Sequence, residues 1–440
     1  MRWGRRSLLA TSSLVAMAAS APVLAQGVVT NPVPVNGVFT TTPGVTGVVL
    51  TGESFTGTIL NAAPVTLGQY KVGIYTGIAV GTKSFNGAII NAGNIEVATN
   101  YPTNKHAFGI AVGAGAGGVF NGSVTNSGFI TSREGYSIGH YIPPGLQGTV
   151  ELADIAVRET VTGSIINTAT GVIILPFGRV NSIGIAVDAP ILGRIINAGY
   201  IFAGFGIDTG TGIAVRAPIM GGITNSGTLI STHIDIRVLA PLPRGITNSG
   251  FIGGKIFAPT DTAITVVGPI AGGISNTGII AGAAEGNGIA FGTGTAFDLG
   301  AASAATVIRQ SAGSIFGGIR FSSHADELLI SGGAVGGGFV APAGSAASIG
   351  LSGGVLAIGA AEFSNTPGFI GGDPLLGVQN LAALRQSGGM VVLDVVNSTN
   401  AAEVPNVRAG VITLTSVAAA LTNFSAVNAI NAPSFAPGAS

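Results

Sequence analysis

Apolar residues alternate with polar or small ones over short stretches, and the same stretch keeps returning along the chain. In Ile223-Thr224-Asn225-Ser226-Gly227-Thr228-Leu229 the apolar residues and the asparagine share one parity and the hydroxyl residues take the other. The Ile, Asn, Gly and closing Ile of Ile246–Ile252 and of Ile274–Ile280 keep the same parity. A side-chain period of two predicts strands with one face turned to a core. Enrichment in Val, Ile and Thr agrees, and frequent Gly and Pro argue against long helices.

The phrase Ile/Val-x-Asn-x-Gly/Ala-x-apolar begins at Ile59, Ile89, Val124, Ile165, Ile195, Ile223, Ile246 and Ile274. Its asparagines are Asn61, Asn91, Asn126, Asn167, Asn197, Asn225, Asn248 and Asn276, with steps of 23 to 41 residues between them. A second phrase precedes it: Gly184-Ile185-Ala186-Val187 lies 13 residues before Asn197, and Gly212-Ile213-Ala214-Val215 the same distance before Asn225. Two strands therefore hold a fixed relation while the remaining loops vary.

One such unit cannot bury its apolar face, whereas stacked copies can. Parallel stacking at ~4.8 Å predicts an all-β chain, a parallel β-helix solenoid of coils typically about 23–35 residues long. The regular coils would span roughly 34 Å, and the whole roughly 60 Å. Each Asn then falls at a strand-to-turn corner, where its amide can bond its neighbours above and below, and Gly two residues on can supply a positive φ. The expected organisation is a leader over 1–25, an entry or cap over 26–58, the β-helix over 59–395, and a cap or linker over 396–440. Asn31, in Asn31-Pro-Val-Pro34, stands outside the phrase in that entry.

The leader reading rests on Arg2, Arg5 and Arg6, an apolar run from Leu8 to Ala21, and Val23-Leu24-Ala25 with small residues placed for cleavage between Ala25 and Gln26. Gly, Asn, Thr or Pro interrupts every later apolar run before the ~18 residues needed to span a bilayer. The sequence is Gly-rich, with 72 of 440 residues, and only 8% charged, yet 47% hydrophobic, which excludes a disordered polar tail. Without cysteine there is no disulfide scaffold or thiolate metal site. A net charge of zero, falling to −3 with the loss of the three leader arginines, gives nucleic acid no electrostatic support as a partner.

Candidate chemistry is sparse. His106, His140, His233 and His324 show no metal-ligand spacing, so no metal or cofactor is expected. His324 with Asp326 and Glu327 reads as a polar loop before a strand. The best catalytic candidate is Thr232-His233-Ile234-Asp235-Ile236-Arg237, where His233, Asp235 and Arg237 alternate with two isoleucines and would project outward together. Carboxylates from adjacent coils would be needed to complete a polysaccharide-cleaving site. A solvated strand face is the preferred reading of this trio.

The leader, the Asn-Ser-Gly ladder, the absence of Cys and the phrase Asp326-Glu327-Leu328-Leu329-Ile330-Ser331-Gly332-Gly333 together resemble the passenger domain of a bacterial autotransporter (type V secretion), over about residues 45–395. The resemblance implies a right-handed parallel β-helix at the cell surface or outside the cell. It also implies an outer-membrane β-barrel translocator, which residues up to 440 do not include; without one, the chain would stay in the periplasm. The expected role is non-enzymatic: adhesion, self-association or surface display, with host or neighbouring-cell surface glycans or proteins, or a second copy, as partners. A carbohydrate-active enzyme and a purely structural stalk are the alternatives.

Overall fold

The computed structural model describes residues 27–43, 45–63, 65–66, 74–100, 106–113, 118–135, 151–175, 181–204, 210–255, 262–284, 294–359, 378–394 and 424–427. The leader, its cleavage point at Ala25 and Gln26, and His140 lie outside the described residues. All regular structure among them is β-strand. The chain passes through three sheets per coil, termed a, b and c. In one coil these strands are Gly210–Val215, Ile223–Asn225 and Thr228–Ser231. Each pairs in parallel with its counterpart one coil on, Ile234–Val238, Ile246–Asn248 and Phe251–Lys255. Among the described residues sheet c holds thirteen strands, from Val65–Thr66 to Phe424–Val427. At ~4.8 Å per step they make a rod of roughly 58 Å. The molecule is a parallel β-helix.

The stack starts earlier than residue 59. Gly27–Thr30 and Val38–Thr40 already pair in parallel with the 17-residue strand Val45–Asn61, so the segment expected to be an entry is itself coiled. At the far end, Phe424–Val427 pairs with Val391–Asp394 and carries sheet c past residue 395. The rest of 396–440 lies outside the described residues.

The interior consists of columns. Ile59, Ile89, Val124, Ile165, Ile195, Ile223, Ile246 and Ile274 are all at most 1% exposed, and the register stacks each on the next. Burying each such side chain contributes about 1.5–3 kcal/mol. At the corner between sheets a and b, Phe55, Phe85 and Phe120 stack face to face with centroids 5.2 and 4.2 Å apart. In later coils the same corner carries Pro190, Pro218, Pro241 and Pro269, whose carbonyls accept from Val161, Ile191, Ile219 and Leu242 of the preceding coils. The continuous a–b strand of the early coils, such as Ile74–Asn91, has already divided by His106–Val112 and Val119–Asn126, and proline, with no N–H for the ladder, fits the corner left between the two pieces.

The corner between b and c is polar and fully buried. All eight ladder asparagines have no exposed surface. Each Nδ2 donates to Oδ1 of the next, at 2.6 Å for Asn61–Asn91 and 2.8 Å for Asn225–Asn248. Asn225 Nδ2 also donates to the carbonyls of Phe251 and Gly227. Two residues outside the phrase close the ends: Thr41 Oγ1 donates to Asn61 Oδ1 at 2.6 Å, and Asn276 donates to Gln310 Oε1 at 2.7 Å. The hydroxyl after the asparagine has its own partner, as Thr277 Oγ1 donates to the Asn248 carbonyl and Ser331 Oγ to that of Gln310.

The glycine of this corner has a different role from the one expected. Gly227, Gly250 and Gly278 are not in the positive-φ region. A Cβ on any of them would run into the carbonyl oxygen of the glycine one coil below, so close stacking, and not turn conformation, requires glycine there. Positive φ appears only later, at Gly313, Gly333 and Gly354, with φ of 67°, 71° and 77°.

Removing one amide from the ladder should leave its neighbours without partners in a buried site. Asn225→Leu should lower unfolding stability by about 1–3 kcal/mol. Asn121, an exposed outer-face asparagine bonded to Asn86 at 2.9 Å, should tolerate the same change within about 0.5 kcal/mol. Asn31 is a poorer control, because it holds φ 48° and accepts the Thr51 backbone N–H at 2.6 Å. Equal shifts of the urea midpoint at 225 and 121 would contradict a structural ladder.

Candidate functional site

The trio His233, Asp235 and Arg237 is not brought together. Arg237 is exposed on the outer face of sheet a, in register with Ala214 and Thr265. His233 is half-buried just before the strand, and burial, reinforced by the positive charge of Arg237, holds its imidazole below the usual histidine range. Asp235 has no exposed surface and lies towards the interior, so it sits across the sheet from Arg237. Strict alternation fails because the ladder skips this position. Thr211 pairs with Ile234 and Ile213 with Ile236, while Gly212 and Asp235 between them do not pair. Two consecutive residues, Asp235 and Ile236, then face inward.

This skipped position forms a column of its own: Gly77, Gly109, Asp154, Gly184, Gly212, Asp235, Ala263 and Ala296. Its glycines leave room for side chains from sheet c, since a Cβ on Gly184 would come within 2.7 Å of Ile201 Cγ2. Asp154 and Asp235 are the two acidic members. Each follows a sheet-c strand with a buried serine at the equivalent place, Ser132 and Ser231. Neither Asp154 oxygen makes a hydrogen bond of normal geometry. Burial pushes its carboxyl well above the usual carboxylate range, with nearby Ser132 pulling weakly the other way. The two aspartates are three coils apart, roughly 14 Å, too far to share a proton or flank one bond.

Asp326 is structural. Its Oδ1 accepts the Thr306 N–H at 2.7 Å and its Oδ2 the Ser322 N–H at 2.6 Å, and it is fully buried. Among the described residues no three His, Asp or Glu side chains are grouped to hold a metal ion.

The outer face of sheet b carries a groove of about 760 Å³ over the later coils. Its floor is the column Ser275, Arg309, Leu329, Gly350 and Arg385, stacked in register. Gly350 opens a gap between Leu329 and Arg385; a Cβ there would meet only Leu329 Cδ2, at 3.0 Å. Glu327 and Ser348 line one wall, and Ser311, Ser331, Ser352 and Ser387 the other. Arg309 and Arg385 are exposed, and among the described residues no ion pair or side-chain hydrogen bond engages either. At the end of sheet a in earlier coils, by contrast, Asp188 pairs with Arg216 at 2.9 Å and stands 3.9 Å from Arg158.

Sequence reasoning passed over this groove because its coils replace the asparagine. Gln310, Ile330 and Leu351 continue the ladder column, and the phrase fades with them. The recurring Ser-Gly-Gly after Ile330, Leu351 and Gln386 was the available signal. No family model matches the chain, and no curated protein or solved structure is significantly similar to it.

The buried Asp154 has a testable pH signature. The folded chain holds this proton more tightly than the unfolded chain, so the group favours folding most below the ordinary value of 3.8 and costs stability as pH rises above it. Asp154→Ala, matching Ala263 and Ala296 in the same column, should raise the melting temperature at pH 7 and lose that advantage towards pH 4. A variant less stable than the parent at pH 7, or an advantage unchanged by pH, would refute this account.

Proposed function

We propose that the chain is an exported β-helical contact protein, acting at the cell surface or outside the cell in adhesion, self-association or surface display, without catalysis. The observation that carries this reading is the sorting of side chains. Asp154, Asp235 and Asp326 are drawn into the interior, and the outward carboxylates of Glu53 and Asp188 are tied to the cations Lys83 and Arg216. A hydrolytic site on such a rod would need acid and base groups converging on one outer face. The outer face of sheet a near His233 has lost its candidate carboxylate to the core.

The export step of the proposal rests on the charged and apolar leader pattern of residues 1–25. Among the described residues no helix is long and apolar enough to cross a membrane. The autotransporter resemblance adds an outer-membrane β-barrel as the translocator. A coil stack with no disulfide to lock it can cross unfolded and assemble outside, coil upon coil.

Three measurements check the proposal. Expressed in a Gram-negative host, the chain should be processed between Ala25 and Gln26 and accumulate in the periplasm. Joined to a β-barrel translocator after Ser440, it should become protease-accessible on intact cells. Purified protein should release no product from a panel of acidic and neutral polysaccharides. Turnover that disappears on changing Asp235 or Arg237 would establish the enzymatic alternative instead.

A further inference from the structure

We propose that the groove over Arg309, Gly350 and Arg385 binds an anionic oligosaccharide, an inference that rests on the contact-protein reading and gives it a ligand. The volume of about 760 Å³ lies within the ~300–1,000 Å³ typical of ligand sites. The two guanidiniums stand three coil steps apart along the floor, roughly 14 Å between their backbones, and carry no partner among the described residues. Guanidinium forks match carboxylate and sulfate oxygens bidentately. Between them, Leu329 and the gap at Gly350 offer an apolar seat for one face of a sugar ring. Serine hydroxyls at steps of ~4.8 Å line one wall; Ser331 and Ser352 donate to the Gln310 and Ile330 carbonyls, which leaves their oxygens to accept from sugar hydroxyls.

Other polymers fit less well. An extended peptide gains affinity by pairing its main chain with a sheet edge. This groove crosses the face of a sheet whose backbone groups are spent on neighbouring coils. Single-stranded nucleic acid needs a cationic track and aromatic platforms; the lining has two cations, one carboxylate and no aromatic ring. Glu327 also sets a limit on the ligand. Its charge, one coil from Arg309 and two from Arg385, repels a densely charged polyanion and suits a chain with separated anionic groups.

The test measures binding of tetragalacturonate, a heparin-derived tetrasaccharide and neutral maltotetraose to the purified full chain by calorimetry at low and moderate salt. An acidic peptide, tetraglutamate, serves as the charge control. One of the charged oligosaccharides should bind, more weakly as salt rises, and maltotetraose and tetraglutamate should bind at least tenfold more weakly. The double change Arg309→Ala/Arg385→Ala should reduce affinity at least tenfold. Gly350→Val, which fills the floor but keeps every charge, should do the same with an unchanged urea midpoint. Arg194→Ala/Arg244→Ala, outside the groove, should have no effect. The proposal is overturned if no charged oligosaccharide binds, if maltotetraose or tetraglutamate binds equally well, or if both groove variants retain affinity. Because the measurement uses purified protein, its failure leaves the export and surface reading standing, and mislocalisation in cells leaves this site standing.

Discussion

Each strand of this molecule has a near-copy of itself ~4.8 Å above and below, so a residue is selected against its vertical neighbour more than against its neighbour in sequence. Isoleucine on isoleucine satisfies that condition by packing, phenylalanine on phenylalanine by ring stacking, and asparagine on asparagine by an amide chain. Glycine satisfies it where two backbones approach too closely for any Cβ. Charge is the case that fails, because like charges repeated at one coil position repel. Arg158, Asp188 and Arg216 solve it by alternating sign over successive coils, and elsewhere the chain mostly avoids charge.

How much could be read in advance follows from the same rule. The parity of Ile223–Leu229 and the eight repeated asparagines made the strands, their stacking and the inward columns legible, because each is a local pattern copied many times. The orientation of Asp235 was not legible. Parity arguments assume an unbroken pleat, and the skipped pair at Gly212 and Asp235 breaks it without any mark in the local sequence. Thr41 and Gln310 escaped notice because they share the ladder's chemistry without its residue type. The groove escaped for a third reason: Arg309, Glu327 and Arg385 meet only through register, and the register of those coils could not be set once asparagine gave way to Gln310 and Ile330.

Buried aspartates in so weakly charged a chain bear on the functional reading. Asp154 and Asp235 occupy a column otherwise reserved for Gly and Ala, each with a serine from the preceding coil close to its level. Burial pushes the Asp154 carboxyl above the usual carboxylate range, at some cost in folding free energy. It is also withdrawn from the surface, where it would oppose the arginines. Carboxylates that remain outside, such as Glu53 and Asp188, stand against Lys83 and Arg216, an arrangement better suited to holding a polymer than to cutting one.

The amide ladder has a direction. Every side-chain bond in it runs from Nδ2 of one coil to the oxygen of the next, from a hydroxyl donor at Thr41 to Gln310, whose Nε2 turns back to the Ala312 carbonyl of its own coil at 2.6 Å. Between those ends any coil presents an acceptor downward and a donor upward, so coils are interchangeable parts. A whole coil can be duplicated or lost there by recombination without creating a mismatched junction. Past Gln310 the column turns apolar at Ile330 and Leu351, and the joint loses that interchangeability. The rod can therefore gain or lose a coil in its amide-bearing stretch without a mismatched amide, and the coils past Gln310 offer no such joint.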